Sequence, residues 1–102
     1  MEIIEAVAAN TSLTYFTLGQ IVSTPGACDL LERTGTGAFD LLMRHQHGDW
    51  GSVPAEDAKA NDWAVVNEER ILSSYYLTAT ERIWIITEWD RSVTTLLLPE
   101  DY

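Results

Sequence analysis

Hydrophobic and polar positions follow two periods in this chain, and the change between them separates a helix-forming part from a strand-forming part. Ile3, Ile4 and Val7 fall at helical spacing before Asn10, Thr11 and Ser12 interrupt it, which predicts a short helix within an N-terminal extension over 1–12. Leu13 to Thr24 departs from that spacing: Tyr15, Phe16, Thr17, Ile21 and Val22 are β-branched or aromatic, so an extended segment is expected, bent or bulged at Gly19. Thr24 and Pro25 then open a helix as N-cap and first helical residue; Ala27, Leu30 and Leu31 give it an apolar face and Gly35 stops it. A second helix is predicted from near Thr36, with Phe39, Leu42 and Met43 on one side, Leu41 beside them, and Gly48 as terminator. Asp49-Trp50-Gly51 reads as a tight connection. Pro54 opens a third helix whose Glu56 and Asp57 complement the positive end of its dipole and whose Lys59, Trp63 and Val66 share one face.

Beyond Glu69 the period shortens to two. Arg70 to Leu77, Arg82 to Trp89 and Ser92 to Leu98 are β-rich runs joined by Thr78–Glu81 and by Asp90-Arg91, the pattern of an antiparallel meander that Pro99 ends. The expected fold class is therefore α+β: one domain over 1–102, with helices packed on an antiparallel sheet that has a C-terminal three-stranded meander. Alternation sends Ile83, Ile85, Thr87 and Trp89 to one face of the middle strand, and Trp84 and Ile86 to the other. One layer of helices covers only one of these faces. Trp84, Ile86 and Tyr76 then require a second cover, either the N-terminal segment or another copy of the chain in a homodimer.

Charge narrows the partners. Sixteen Asp and Glu against six Lys and Arg leave a formal charge of −10 over 102 residues, which opposes unaided binding to nucleic acid or to an anionic membrane and favours basic proteins. The 46% apolar content is that of a globular chain rather than an acidic disordered tail. A single cysteine, Cys28, is read as small buried filler on a helix flank, and it allows no internal disulfide. The acidic start MEIIEAVAAN lacks the basic flank of a signal peptide and no apolar run reaches the length of a membrane span, so a cytoplasmic location is expected.

Several separated stretches carry a resemblance. These are Leu18-Gly19-Gln20-Ile21-Val22 running into Thr24-Pro25-Gly26-Ala27; Arg44-His45 with Gly48-Asp49-Trp50-Gly51; and Trp84-Ile85-Ile86-Thr87-Glu88 with Asp90-Arg91-Ser92-Val93-Thr94-Thr95, down to the closing Leu97-Leu98-Pro99-Glu100-Asp101-Tyr102. Together they resemble a family of small bacterial proteins from plasmids and integrating elements, called plasmid-related proteins and sometimes labelled type I restriction endonuclease subunit M. The resemblance spans roughly residues 18 to 102 and implies a mobile-element setting without an established activity or a set of functional residues. The extended N-terminus and His47 depart from the family pattern. The methyltransferase label conflicts with the sequence, which has no doubly wound pattern, no glycine-rich cofactor loop and no room for a flipped-base pocket.

The chemistry-bearing residues suggest several sites. His45, His47 and Asp49 are zinc-ligand types, but on one helix the two histidines stand about 200° apart; a helix-terminal histidine and a turn aspartate explain them better, and no metal or other cofactor is expected. Asp49 suits a turn cap and Trp50 either a core plug or a partner anchor. Glu88, Asp90 and Arg91 cluster at a hairpin corner, where Arg91 is expected to pair with Glu88 or a neighbouring acid. His45, Asp49, Glu88 and Arg91 would make a hydrolase or nucleotide-processing site if they converged in one cleft. Glu56-Asp57-Asp62, Glu68-Glu69 and Glu100-Asp101 form acidic patches able to imitate a phosphate backbone. The favoured expectation is a non-catalytic protein-binding module that uses Trp50, Glu56, Asp57, Glu68, Glu69 and Trp84 against a protein partner. A basic nucleic-acid-binding defence nuclease, inhibited in anti-restriction or anti-CRISPR fashion, is its most concrete form; a structural homodimer is a third class.

Overall fold

The computed structural model describes residues 14–102, so the expected helix over 1–12 and Leu13 lie outside the described residues. The elements are β1 (Gln20–Ser23), α1 (Pro25–Thr34), α2 (Ala38–Gln46), α3 (Ala55–Asn67), β2 (Ile71–Tyr76), β3 (Arg82–Thr87), β4 (Val93–Leu97) and a 3-10 turn at Pro99–Asp101. Local chemistry accounts for the helix ends. Thr24, in extended conformation, accepts the Ala27 amide at 3.2 Å ahead of Pro25, and Gly35 closes α1 at a φ of 66°. His47 follows α2, and its Nδ1–H donates to the Met43 carbonyl at 2.7 Å.

The sheet runs β1-β4-β3-β2. Its β2–β3–β4 portion is the expected antiparallel meander, while β1 lies parallel to β4, from Gln20 opposite Val93 to Ser23 opposite Leu96. The fold is α+β with a mixed, mostly antiparallel sheet, because the extended N-terminal segment contributes a strand as well as a connection. Gly19 makes this entry feasible: at a φ of 66° it sits so close to the backbone of Arg91 and Ser92 that a Cβ would collide with both.

Alternation along the strands sends Ile71 and Tyr75 of β2, Ile83 and Ile85 of β3, and Leu96 of β4 to the helical side. There Tyr75, Ile83, Ile85 and Leu96 pack with Ala27, Leu41 and Leu42, and Ile71 packs with Phe16, Trp50 and Ala64. Burying this apolar surface is the main source of stability, at roughly 25 cal/mol per Å2 removed from water.

Four sequence expectations are corrected. In α3 the expected inner face points outward, with Trp63 63% and Val66 79% exposed, and the helix buries Asn61 and Ala64 instead. The reason lies in β2, where Asn61 Nδ2 donates to the Leu72 carbonyl at 2.8 Å and Asn61 Oδ1 accepts the Leu72 amide at 3.1 Å; the side-chain amide stands in for a neighbouring strand. Phe39 is likewise exposed, because α2 turns Leu41, Leu42, His45 and Gln46 inward. Cys28 is exposed rather than buried, with Sγ 3.3 Å from Ser23 Oγ, since Ala27 and Leu30 occupy the inner face of α1. Trp89 lies past the end of β3 in an exposed turn.

On the opposite face of the sheet, Trp84 is half-buried and meets the Tyr102 ring edge-on at 5.9 Å, and the Arg82 guanidinium lies over Tyr76 and Trp84. The C-terminal turn thus supplies part of the second cover. It is fastened to α1, because Thr24 Oγ1 donates to Asp101 Oδ2 at 2.6 Å and the same oxygen accepts the Leu98 amide. Among the described residues no helix is long and apolar enough to cross a membrane.

Two substitutions distinguish the faces of α3. Replacing Asn61 by Ala leaves the Leu72 amide and carbonyl without their partner and should lower unfolding free energy by about 1–3 kcal/mol in denaturant titrations. Trp63→Ala, despite removing a far larger side chain, should change it by no more than about 0.5 kcal/mol.

Candidate functional site

His45 is the strongest polar feature of the interior. The inward face of α2 aims it at the sheet, where Nδ1 lies 2.6 Å from Ser73 Oγ and Nε2 lies 2.9 Å from Thr87 Oγ1. Thr87 Oγ1 is 2.7 Å from Thr94 Oγ1, which donates to the Leu18 carbonyl at 2.7 Å. A carbonyl only accepts, so the Thr94 proton is committed to Leu18 and Thr87 must donate to Thr94. Nε2–H therefore donates to Thr87, and Nδ1 accepts from Ser73. This order assigns the tautomer of a neutral ring. Burial, helped by the Arg91 charge, pushes the His45 pKa down to about 3. Phe16 meets the imidazole edge-on at 5.2 Å, and Trp50 does so at 6.0 Å.

Three of the four residues proposed for a hydrolytic site, His45, Asp49 and Arg91, are engaged in other roles. Both His45 nitrogens are held in the core and open onto no cleft. Asp49 Oδ2 accepts from Arg44 Nε at 2.6 Å and Oδ1 caps the Gly51 amide at 3.2 Å. The arginine holds the Asp49 carboxyl below the usual range. Its main chain is tied as well, because the Tyr75 hydroxyl donates to the Asp49 carbonyl at 2.6 Å. Arg91, at a φ of 61°, forms no ion pair within 4 Å among the described residues, although it feels the charge of Glu68: its guanidinium donates to the carbonyls of Ala64 at 2.8 Å and Glu69 at 2.6 Å, and also to those of Glu88 and Trp89. It caps the C-terminal end of α3 and joins it to the β3–β4 turn; of the two expected acid partners, Glu88 offers its carbonyl rather than its carboxylate, and Glu68 acts on Arg91 through charge alone. His45, Asp49 and Arg91 thus have their polar atoms committed to separate partners within the fold. His45 and His47 also diverge, one toward Ser73 and Thr87 and the other toward the Met43 carbonyl. Among the described residues no group of three or more His, Cys, Asp or Glu gathers as a metal site.

The partner-binding residues separate by exposure. Trp50 is buried, stacks near Phe16 and donates from Nε1 to Asp62 Oδ1 at 3.0 Å, which is the core-plug role and puts its ring out of a partner's reach. Glu56, Asp57, Glu68 and Glu69 are all exposed, and Trp84 is half-buried under Tyr102. Glu68 adopts the left-handed conformation at the end of α3, at a φ of 55°. Sequence reasoning missed the two largest exposed aromatic side chains of this region. Trp63 stands on the outer face of α3 and Trp89 in the turn that Arg91 ties to the end of that helix, with Val66 beside Glu68 and Glu69 along the chain. The signal was the weak amphipathicity of α3, in which small Ala58 and Ala64 and polar Asn61 compete with Trp63 and Val66 for the inner face. Among the described residues, Asp29, Glu81 and Asp49 are the acids paired with an arginine.

The buried histidine gives stability a defined pH dependence. In the unfolded chain His45 takes up a proton near pH 6.5, whereas the folded protein does so only near pH 3. Its contribution is therefore complete above pH 6.5 and is lost on acidification between those values, at about 1.4 kcal/mol per pH unit for the single proton. Denaturant titrations from pH 7 to pH 4 should show this slope, and His45→Gln should flatten it while lowering stability at pH 7. Comparison with known proteins adds no identity: no protein-family model, no curated protein and no solved structure matches the chain.

Proposed function

We propose that this domain is a non-catalytic binding module that captures a basic protein through its acidic exterior. Inhibition of a host defence nuclease, by contact or by occupying the groove made for nucleic acid, is the most concrete form of this reading. The observation that carries it is the surface around the end of α3, where Glu68 and Glu69 adjoin the exposed Val66 and where Arg91 anchors the turn bearing Trp89 and Asp90. Trp63, and Glu56 and Asp57 at the opposite end of the helix, extend that surface. Carboxylates there attract a cationic partner over the range of a Debye length, about 8 Å at physiological salt. Exposed indole rings then supply the short-range contact area that charge alone lacks. Arg91 contributes by immobilising this corner through carbonyl oxygens rather than through a direct ion pair with its carboxylates.

The resemblance to mobile-element proteins supports the choice of a defence nuclease as partner, since such elements gain from disabling restriction or CRISPR machinery. The test is binding of the purified chain to a basic restriction or CRISPR nuclease, followed by calorimetry and by cleavage of the nuclease's own substrate. Affinity should fall as salt rises, and neutralising Glu56, Asp57, Glu68 and Glu69 to Gln or Asn should weaken it about tenfold or more, with Trp63→Ala reducing it further. Capture that is independent of salt and unaffected by these substitutions would overturn the reading.

A further inference from the structure

The two edges of the sheet are treated differently. Along the outer edge of β2, Asn61 engages both backbone groups of Leu72, the Ser74 amide donates to the Trp50 carbonyl at 3.0 Å, and the Ser52 amide donates to the Ser74 carbonyl at 2.6 Å. Gly51 makes this contact feasible, because a Cβ at that position would strike the Ser74 carbonyl. That edge is closed to another strand. At the other end of the sheet β1 pairs with β4 alone among the described residues, and every residue from Gln20 to Ser23 is exposed. The Gln20 amide donates to Ser92 and the Thr24 amide to Leu96, so alternation turns the backbone groups of Ile21 and Ser23 outward. Among the described residues nothing meets them.

Charge indicates the occupant. Between Glu5 and Asp29 the chain contains no Asp, Glu, Lys or Arg, although its net charge is −10. Carboxylates stand at the two ends of the strand, Asp101 bonded to Thr24 and Asp90 bonded to Ser92, so its uncharged middle at Ile21 and Val22 is where a second copy could approach with least repulsion. A basic partner would find no carboxylate on the strand itself. We propose that β1 is a homodimerisation edge, at which two copies join antiparallel across a twofold axis into one continuous sheet. Only one register both keeps outward-facing residues opposite one another and uses the strand fully: Ile21 of one copy pairs with Ser23 of the other, and Val22 meets Val22 on the axis. Val22 is 39% exposed and Ile21 48% exposed, so both carry apolar surface for the second copy to cover. The edge is short, and the association is accordingly weak and concentration-dependent.

Sedimentation velocity of the full chain, over a concentration series at low and high salt, tests this. Dimer should increase with concentration and with salt, because screening relieves the repulsion between two acidic bodies, whereas capture of a basic partner weakens with salt. Val22→Glu places two carboxylates together on the axis and should raise the dimer dissociation constant about tenfold or more. Ile21→Pro removes an outward N–H while sparing the bonds to β4, and should have a similar effect. Far-UV circular dichroism of both variants checks that the monomer remains folded. A chain that stays monomeric at high concentration and high salt, or a dimer insensitive to both substitutions, would overturn the proposal. So would a dimer abolished by Trp84→Ala but not by Val22→Glu, which would place the contact on the sheet face.

Discussion

The hydrogen-bonded chain from Ser73 through His45, Thr87 and Thr94 to the Leu18 carbonyl holds one helix, three strand-borne hydroxyls and the entry to β1 in a single arrangement. Each donor has one acceptor, and the order of donation is determined by the carbonyl at its end. A buried polar chain of this kind is favourable only when complete, because any unpaired member retains its desolvation cost without compensation. It therefore specifies the register of α2 on the sheet more sharply than the surrounding apolar contacts. Leu41 and Leu42 could slide among similar neighbours, whereas His45 has one position in which both nitrogens are satisfied.

The same constraint separates structure from recognition. His45, Asp49 and Arg91 are the residue types from which catalytic sites are built, yet their polar atoms are turned toward main-chain and hydroxyl partners within the fold and, for Asp49, toward Arg44 as well. Arg91 is the clearest case: an arginine in a strongly acidic chain spends its guanidinium on carbonyl oxygens, joining the end of α3 to the β3–β4 turn. Satisfying the backbone with a cation leaves the nearby carboxylates of Glu68, Glu69 and Asp90 facing solvent. The fold concentrates its ordering interactions inside and presents negative charge and exposed aromatic rings outside, an arrangement suited to association. Among the described residues the β2 edge is closed by Asn61 and by the Trp50–Ser52 segment, whereas nothing meets the outer edge of β1.

Much of the local structure was legible in the residues. Thr24-Pro25 marked the start of α1, Gly35 its end, Asp49 the cap of the Gly51 turn, and the alternation of Ile83 and Ile85 with Trp84 and Ile86 the two faces of β3. These follow from short-range rules: a hydroxyl cap, a left-handed glycine, and the two-residue repeat of a strand. The expectation failed where two faces of one element were nearly equivalent. On α3, Trp63 and Val66 outweigh alanine by hydrophobicity, but the interior required small residues and the one amide able to complete β2. Trp50 had two readings, and its bond to Asp62 decided between them.

What the sequence determined by itself, then, was the inventory of helices and strands over the described residues, the excess of negative charge and the single cysteine, since each depends on neighbouring residues or on a simple count. Tertiary structure alone decided that β1 joins the sheet in parallel beside β4, that α3 turns its tryptophan outward, that Cys28 is exposed, and that His45 is neutral within the core. Each of those outcomes depends on partners distant along the chain: Leu18 is met by Thr94, Asn61 by Leu72, and His45 by Ser73 and Thr87. No local periodicity encodes such a pairing, because the energy that selects it exists only when the distant groups are brought together and removed from water.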